Sequence, residues 1–512
     1  MLCNRLQKNA ITMKKVFIFV SYPIKITMKK TLLFSIILLN YVVSFATETT
    51  VSTPQQLLSA LSGASAGDII YVVEGNYTFT SRFSITRSGA NGNLISLLPD
   101  PSNTSRPFLD FSSMSESSSN RAITLSGNYW HIKGIDVFGA GDNGMFINGS
   151  NNLIEFCSFS ECKDTGLQIG NGASNNIILN CDSYYNADST LENADGFACK
   201  LDAGTGNKFI GCRAWQNLDD GWDGYLRGAD NITTTYENCW AIKNGYLKNG
   251  TVGAGDGNGF KTGGSDDKLL KHNAVYKNCI SVGNVFDGFD HNSNRGDITI
   301  YNSSAYNNGR NINFSSTNIA NSLTIKNSIS YSGVNSDSYR ATTLDITNNS
   351  WQNGLVTNAA DFESLDITLL TSPRNADGSL PDITFMKLVS GSDLIDAGVD
   401  VGLPYNGSAP DLGYFETGTL GIQDFLAENS FGNYPNPFSS ETTIVFNLKQ
   451  TAPVTLSVYN IMGMKVFDAA EKTFTSGNHS FVLKRNQLTT GNYLLVLKTN
   501  NGQFSSKLIT VN

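Results

Sequence analysis

Charged residues and histidines are scarce in this sequence. Of its 512 residues only 16% are Asp, Glu, Lys or Arg, whereas 48 are Gly. This composition excludes a coiled coil or a charged helical bundle and favours short strands joined by turns. No Cys-x-x-Cys pair occurs, which argues against a zinc site. The four histidines are scattered and indicate no shared site: His131, His272, His291 and His479.

Basic charge is also scarce outside the N-terminus. The formal net charge is −8, but residues 1–46 carry seven Lys or Arg and no Asp or Glu, so the remainder has 29 basic and 44 acidic residues. This balance argues against nucleic-acid binding. A polyanionic ligand would need a local cation, either a Lys/Arg cluster or a metal ion.

Residues 1–46 are predicted to include an export signal. Met28-Lys29-Lys30 precedes the apolar run Thr31–Val43, and Ser44-Phe45-Ala46 has the small-x-small pattern of a cleavage site. The mature chain would begin near Thr47, and residues 1–27 would be an over-extended start. The alternative, a membrane anchor, is disfavoured because the run is shorter than the ~20 residues that a span needs.

The middle of the chain repeats at intervals of 24 to 40 residues. Each repeat places Asn or Gly before a Cys or Ser, and most place an Asn five residues later. Repeats of this length with short β-rich runs predict a parallel β-solenoid, in which like residues stack in columns. The Cys column is expected to consist of buried free thiols, and the Asn column to form an amide ladder. The two columns are Cys181, Cys212, Cys239, Cys279, Ser303 and Ser328, and Asn186, Asn217, Asn244, Asn284 and Asn308.

The two ends of the solenoid have different characters. Thr53-Pro54 begins a helical pattern through Leu61 that could cover the first coil, Asp68–Phe79. Beyond about Gly418 the pattern becomes that of alternating strands, which predicts a small β-sandwich over residues 431–512 after a linker at 419–430. The predicted architecture is therefore all-β, a parallel β-solenoid over residues 47–418 followed by this sandwich.

A second repeated element, Asp/Asn-Gly-aromatic, places charge in columns. Its aromatic residue is expected to point into the coil, so the next residue points outward, and this makes Asp223 and Lys261 neighbours on the outer surface. Asp195, Asp219 and Asp220 lie beside them in the same register. Four converging carboxylates would repel one another unless a hard cation bound there, and the loose geometry suits Ca²⁺ better than Mg²⁺. The alternative is that these aspartates only cap turns.

Three segments resemble polysaccharide lyase family nine, the pectate lyases built on a right-handed parallel β-helix. They are Asp195-Gly-Phe-Ala-Cys-Lys200, Gly211-Cys-Arg-Ala-Trp-Gln-Asn-Leu-Asp-Asp-Gly-Trp-Asp223 and Asn258-Gly-Phe-Lys-Thr-Gly-Gly264. The similarity extends over most of residues 50–416 and includes Asp396-Ala-Gly-Val-Asp-Val-Gly-Leu-Pro404. The resemblance implies that Asp195, Asp219, Asp220 and Asp223 are calcium ligands and that Lys261 is the catalytic base.

The chemistry of a uronan agrees with this assignment. The C5 proton of a 4-linked uronate becomes removable once the adjacent carboxylate is neutralised, which calcium would achieve. Lys261 would abstract that proton, and Lys200 is the reserve candidate for the base. Lysine acts as a base only when neutral, so an alkaline optimum is expected. Candidate substrate-binding residues are Lys200, Arg213, Arg227, Arg295 and Arg310.

Two other functions are also compatible with the sequence. Paired carboxylates could hydrolyse a glycoside, although the Gly-His-Gly element of polygalacturonase-type hydrolases is absent. A non-catalytic solenoid could instead adhere to cell-wall polymer. The favoured expectation is a secreted or surface-attached monomer that acts on pectate or a related uronan. Whether attack is endo or exo depends on loops such as Lys243–Gly255.

The C-terminal region resembles the sorting domain of the type IX secretion system. The resemblance rests on Tyr434-Pro-Asn-Pro-Phe438, Val458-Tyr-Asn-Ile-Met-Gly463 and Lys507-Leu-Ile-Thr-Val511. It implies that the type IX secretion machinery is a partner. The alternative interpretation is a carbohydrate-binding module.

Overall fold

The computed structural model of the chain describes residues 46–417 and most of residues 432–511. Within the second range it omits residues 435, 437, 449–450, 461–463, 476, 486–487 and 500–503. The predicted signal peptide, apart from Ala46, and the predicted linker lie outside the described residues. Among the helices of the described residues, none is long and apolar enough to span a membrane.

Three long parallel sheets form a right-handed β-helix, which confirms the solenoid predicted from the repeats and the handedness implied by the family resemblance. Each coil visits a twelve-stranded, a ten-stranded and a nine-stranded sheet in turn. The twelve-stranded sheet contains Glu48–Val51, Ile69–Val72, Ile95–Pro99, Trp130–Lys133, Leu153–Glu155, Ile177–Leu179, Asn207–Ile210, Ile232–Glu237, His272–Lys277, Asp297–Tyr301, Ala320–Lys326 and Ala341–Thr347. The ten-stranded sheet contains Asn76–Thr78, Phe108–Asp110, Asp136–Phe138, Ser158–Ser160, Asp182–Tyr184, Arg213–Trp215, Trp240–Ile242, Ile280–Val282, Ser304–Tyr306 and Ile329–Tyr331. The nine-stranded sheet contains Phe83–Ile85, Ile123–Leu125, Met145–Ile147, Leu167–Ile169, Phe197–Cys199, Trp222–Asp223, Phe260–Lys261, Asp287–Asp290 and Arg310–Asn313.

The predicted side-chain columns are present inside the helix. Successive asparagines of the ladder bond side chain to side chain, for example Asn186 Nδ2 to Asn217 Oδ1 at 2.8 Å and Asn217 Nδ2 to Asn244 Oδ1 at 3.0 Å. All seven cysteines of the described region are free and buried. The aromatic residues of the Asp/Asn-Gly-aromatic element stack at 4.8–5.2 Å between ring centroids, in the order Phe197, Trp222, Phe260 and Phe289.

The Asn or Gly that precedes each cysteine of the column has a backbone reason, and Gly211 before Cys212 likewise has a positive φ of 62°. Asn180, Asn238 and Asn278 have φ of 53°, 54° and 53°, in the left-handed region that asparagine tolerates better than most residues. Each stands at the corner between the twelve-stranded and the ten-stranded sheet. The repeat thus specifies the bend of every coil as well as its core.

The first coil is covered as the sequence predicts. The helix Pro54–Gly63 begins after Thr53, whose side chain accepts a hydrogen bond from the Gln56 backbone N–H. Leu57 and Leu61 of this helix are buried in the core of the β-helix. The helix therefore shields apolar residues that would otherwise face solvent at the end of the stack.

The segment after the last coil packs on the outer face of the ten-stranded sheet. It contains the 3-10 helices Ala359–Asp361 and Ile367–Thr371. Leu370, Phe385 and Leu394 of this segment are buried in one apolar cluster with Trp215 and Trp240 of the sheet. The part of this sheet face around Trp215 and Trp240 is consequently covered, and the candidate site lies on the nine-stranded sheet.

The C-terminal region forms two antiparallel sheets. One contains Gly432–Tyr434, Glu441–Leu448 and Gly477–Lys484, and the other contains Lys465–Phe474, Ala452–Asn460, Gly491–Thr499 and Phe504–Val511. Residues of both sheets, such as Ile444 and Leu495, share one buried apolar cluster. The predicted β-sandwich is confirmed.

Candidate active site

Two strands of the nine-stranded sheet bring the central residues of the site together. Trp222–Asp223 and Phe260–Lys261 pair in parallel, with Asp223 opposite Lys261. Trp222 and Phe260 point into the coil, so the residue after each points away from it. The register predicted from the repeat is therefore the register of the structure.

Three of the four predicted calcium ligands converge where the neighbouring strands Phe197–Cys199 and Trp222–Asp223 begin. Asp195, Asp219 and Asp220 each offer an oxygen, and these oxygens all lie within 4.8 Å of one another. All three residues are buried, with exposures of 1%, 8% and 0%. The fourth, Asp223, lies outside this group of oxygens and contacts it through Lys200, whose Nζ is 2.6 Å from Asp195 Oδ2 and 3.1 Å from Asp223 Oδ2.

Lys261 is held by two carboxylates. Its Nζ lies 3.1 Å from Asp220 Oδ2 and 2.8 Å from Asp256 Oδ2. Lys261 lies beside Asp223 on the outer side of the coil, as expected, but its side chain is only 10% exposed. The loop before Asn258 covers it: Asp256 of this loop contacts Lys261 and donates its backbone N–H to Asp219 Oδ1.

Burial and like charge set the pKa values of the acids. Burial, then repulsion from Asp220, raises the pKa of Asp219 to about 10. Burial raises the pKa of Asp220 to about 7 and that of Asp195 to about 6, although Lys261 and Lys200 oppose the two shifts. Burial by itself would lower the pKa of Lys261, but Asp220 and the other aspartates raise it well above its usual value.

These residues fit a hard divalent cation. They supply carboxylate oxygens in a confined space, which is the donor set that Ca²⁺ prefers. Lys200 and Lys261 pair with Asp195 and Asp220, so these two lysines balance only two of the four carboxylates Asp195, Asp219, Asp220 and Asp223. The buried negative charge that remains is costly unless a cation compensates it.

The sequence did not single out Asp256. Asp256 belongs to the coil between Cys239 and Cys279, whose step of 40 residues includes an insertion without a counterpart in the other repeats. Its loop also reaches across the preceding coil to the one before that, since the Ala254 N–H donates to Leu191 O at 2.9 Å. The available signal is the insertion itself, Lys243–Gly255, which the sequence linked to the choice between endo and exo attack.

The four candidate arginines differ in their surroundings. Arg213 is a structural residue on the ten-stranded sheet: its guanidinium bonds both oxygens of Asp182 and the carbonyls of Leu370 and Ser372. Its side chain is 3% exposed. The expectation that Arg213 binds substrate is therefore wrong, because the segment that follows the last coil covers it.

Arg295 and Arg310 are also partly engaged by the protein. Arg295 donates to the carbonyls of Lys268 and Ile319 and to Asn318 Oδ1, so it braces neighbouring loops. Arg310 lies opposite Asp287 on the nine-stranded sheet, two strands beyond Lys261. Arg227 is instead open to solvent, because its side chain is 62% exposed, and it lies four residues after Asp223.

Comparison with known proteins identifies the fold family. Residues 42–323 match the Pel9A-like right-handed β-helix region. The chain is 41% identical over 368 residues to pectate lyase L of Paenibacillus polymyxa (strain SC2), an alignment covering 68% of this chain and 80% of that protein. It is 36% identical over 379 residues to pectate lyase L of Dickeya chrysanthemi, which covers 71% of this chain and 86% of that protein.

The chain belongs to the Pel9A-like β-helix family. The crystal structure of pectate lyase Pel9A is similar to it with a TM-score of 0.65 and 34% identity, covering 74% of this chain and 98% of that chain. The sequence resemblance to the family-nine lyases is thereby confirmed, and this family member is a polysaccharide lyase.

A separate match covers the C-terminal sandwich. Residues 433–512 match the secretion system C-terminal sorting domain. This domain indicates secretion and export to the cell surface, as expected from the sequence.

Proposed function

We propose that this family member is a calcium-dependent pectate lyase that cleaves 4-linked galacturonan by β-elimination. The observation that carries the proposal is the apposition of Lys261 to the carboxylates of Asp219, Asp220 and Asp195 on one patch of the nine-stranded sheet. The named relatives are pectate lyases, which supports the same substrate class.

Asp195, Asp219 and Asp220 would hold the calcium, with Asp223 completing the site. Bound calcium would supply positive charge that neutralises the uronate carboxylate and acidifies the proton on C5. Lys200, placed between Asp195 and Asp223, lies where it would pair with carboxylates of the site or of the substrate. The acidic surplus in this patch is what makes a cation necessary.

Lys261 is the proposed base. Its neutral amine would take the C5 proton, the C–H electron pair would form the C4–C5 double bond, and the C4–O bond would break. The departing oxygen then takes a proton, ultimately from water, and the new non-reducing end is an unsaturated uronate. The amine must first lose its own proton, which its contacts with Asp220 and Asp256 disfavour.

A direct experiment separates elimination from its alternatives. Purified protein is mixed with polygalacturonate and calcium, and both the absorbance of unsaturated uronate and the reducing ends are followed. Elimination increases both signals. Reducing ends without the absorbance would indicate hydrolysis, and binding without either signal would indicate an adhesin; both results would contradict the proposal.

The C-terminal domain is proposed to engage the type IX secretion machinery. The match of residues 433–512 to a secretion sorting domain supports this assignment. Deleting residues 431–512 should leave the β-helix active but trap it before the cell surface. Unchanged export of the truncated chain would contradict the assignment.

A further inference from the structure

A cationic corner lies immediately beyond the acidic cluster. We define it as Tyr225, Arg227 and Lys268, with Asp266 beside them. Tyr225 is fixed to the proposed metal site because its backbone N–H donates to Asp223 Oδ1 at 2.9 Å. Leu226 is bridged on one side to Leu201 and on the other to Ser265, so the corner continues the nine-stranded sheet beyond its strands.

Two cations flank the same aromatic ring. Arg227 Cζ lies 5.9 Å and Lys268 Nζ 5.6 Å from the centroid of the Tyr225 ring. Cations within about 6 Å of a ring are attracted by its face, which holds them in place. Arg295 steadies the Lys268 backbone by donating from Nε to its carbonyl at 2.7 Å.

The two acids of the corner, Asp266 and Asp267, do not form a close ion pair with Lys268. Asp266 is the acid that pairs there, with Oδ2 at 3.2 Å from Arg227 Nε and Oδ1 at 2.7 Å from the Tyr225 hydroxyl that donates to it. Asp267 is turned to the Ser265 hydroxyl and the Leu269 N–H. Among the described residues, no carboxylate lies within ion-pair distance of Lys268 Nζ.

We propose that Arg227 and Lys268, oriented by Tyr225, form a subsite for the carboxylate of a uronate residue adjoining the one at Lys261. This inference rests on the proposed function, and it adds Lys268 and Tyr225 to the residues that meet the polymer. The corner is two to four residues beyond Asp223, a separation of about 7–13 Å along an extended chain. Guanidinium and ammonium groups are the natural partners of a sugar carboxylate.

The test uses hexagalacturonate as the probe, bound to the full chain in the Lys261→Ala background so that the ligand is not cleaved. With calcium present, we expect calorimetry to give a Kd about tenfold higher when Arg227→Gln and Lys268→Gln are added to Lys261→Ala. This is the effect expected when two exposed ion pairs with the ligand are lost. Arg340→Gln is the matched control, because Arg340 is an exposed arginine just before the last strand of the twelve-stranded sheet, and it should leave the Kd unchanged.

A second ligand distinguishes recognition from a structural effect. The methyl-esterified hexamer lacks the carboxylates, so the double substitution should not weaken its binding. Equal weakening for both ligands, or an unchanged Kd for hexagalacturonate, would overturn the subsite. Failure of the proposed function would give a different result. The unsubstituted protein would bind the hexamer through the corner but would release no unsaturated product.

Discussion

Asp223 and Lys261 are directly opposite each other on adjacent strands, yet their side chains have different partners. Lys261 Nζ lies 3.1 Å from Asp220 Oδ2, whereas Asp223 Oδ2 lies 3.1 Å from Lys200 Nζ. Lys200 and Lys261 thus lie among four aspartates in one largely buried patch. This arrangement separates the proposed base from Asp223 while keeping both beside the acids that would bind calcium.

Removing Asp223 should weaken calcium binding without destroying the site. We expect Asp223→Ala to lower calcium affinity, because Asp195, Asp219 and Asp220 remain as ligands, and we expect activity to recover partly at high calcium. Calcium titrations of activity and of binding measure this. Asp382→Ala is the control, because Asp382 is an exposed carboxylate on the segment that follows the last coil, and it should leave calcium affinity unchanged. Equal calcium affinity in Asp223→Ala and the unsubstituted protein would remove Asp223 from the site.

Activity should rise with pH above neutrality. The aspartates around Lys261 raise its pKa well above its usual value against the effect of burial, so the neutral fraction is small at pH 7 and grows about tenfold per pH unit below the pKa. Bound calcium would counter part of this effect. Initial rates across pH at saturating calcium provide the measurement, and a maximum in acid would contradict a lysine base.

Arg213 should matter for stability rather than for substrate binding. Its guanidinium, together with that of Arg374, surrounds the carboxylate of Asp182 in a buried network. Arg213→Ala should lower the free energy of unfolding by about 3–5 kcal/mol, since one partner of a buried ion pair is lost. Chemical denaturation and KM for polygalacturonate measure the two effects. A raised KM with unchanged stability would restore the original interpretation.

The partly buried carboxylate of Glu155, outside the site, gives a pH dependence with a defined sign. The hydrogen bond and charge of His131, with Lys133, lower the pKa of Glu155 to about 2 although burial opposes the shift. A depressed folded-state pKa contributes stability that is present above the usual value near 4.5 and is lost as the pH falls towards 2. The shift corresponds to about 3 kcal/mol. Glu155→Gln should therefore be destabilising at pH 7 and nearly neutral at pH 2 in urea unfolding, and equal destabilisation at both would contradict this.

The repeat made much of the fold predictable. Stacking of like residues placed Asp223 beside Lys261 and identified the Asn and Cys columns, because one residue per coil must occupy each position. The same periodicity explains the buried aromatic stack from Phe197 to Phe289. These features follow from local spacing.

What the repeat could not predict lies outside its period. Asp256 stands in an insertion, so no column indicated that it would reach Lys261. The contacts of Arg213 come from Leu370, Ser372 and the Arg374–Asp182 pair, more than 150 positions away for the two carbonyls. The packing of an irregular segment against distant residues leaves no periodic signal in the sequence. An arginine buried by such a segment therefore cannot be distinguished from a surface arginine by its sequence context.

The central claim is that Lys261 removes the proton from the sugar. The decisive measurement is the initial rate of unsaturated-uronate formation from polygalacturonate by Lys261→Ala, after its thermal unfolding and calcium binding have been shown to match those of the unsubstituted protein. We predict a folded, calcium-competent protein whose turnover falls by at least about a hundredfold, the lower end of what a general base contributes. Turnover close to that of the unsubstituted protein would contradict the role of Lys261 as the base and would make Lys200 the next candidate.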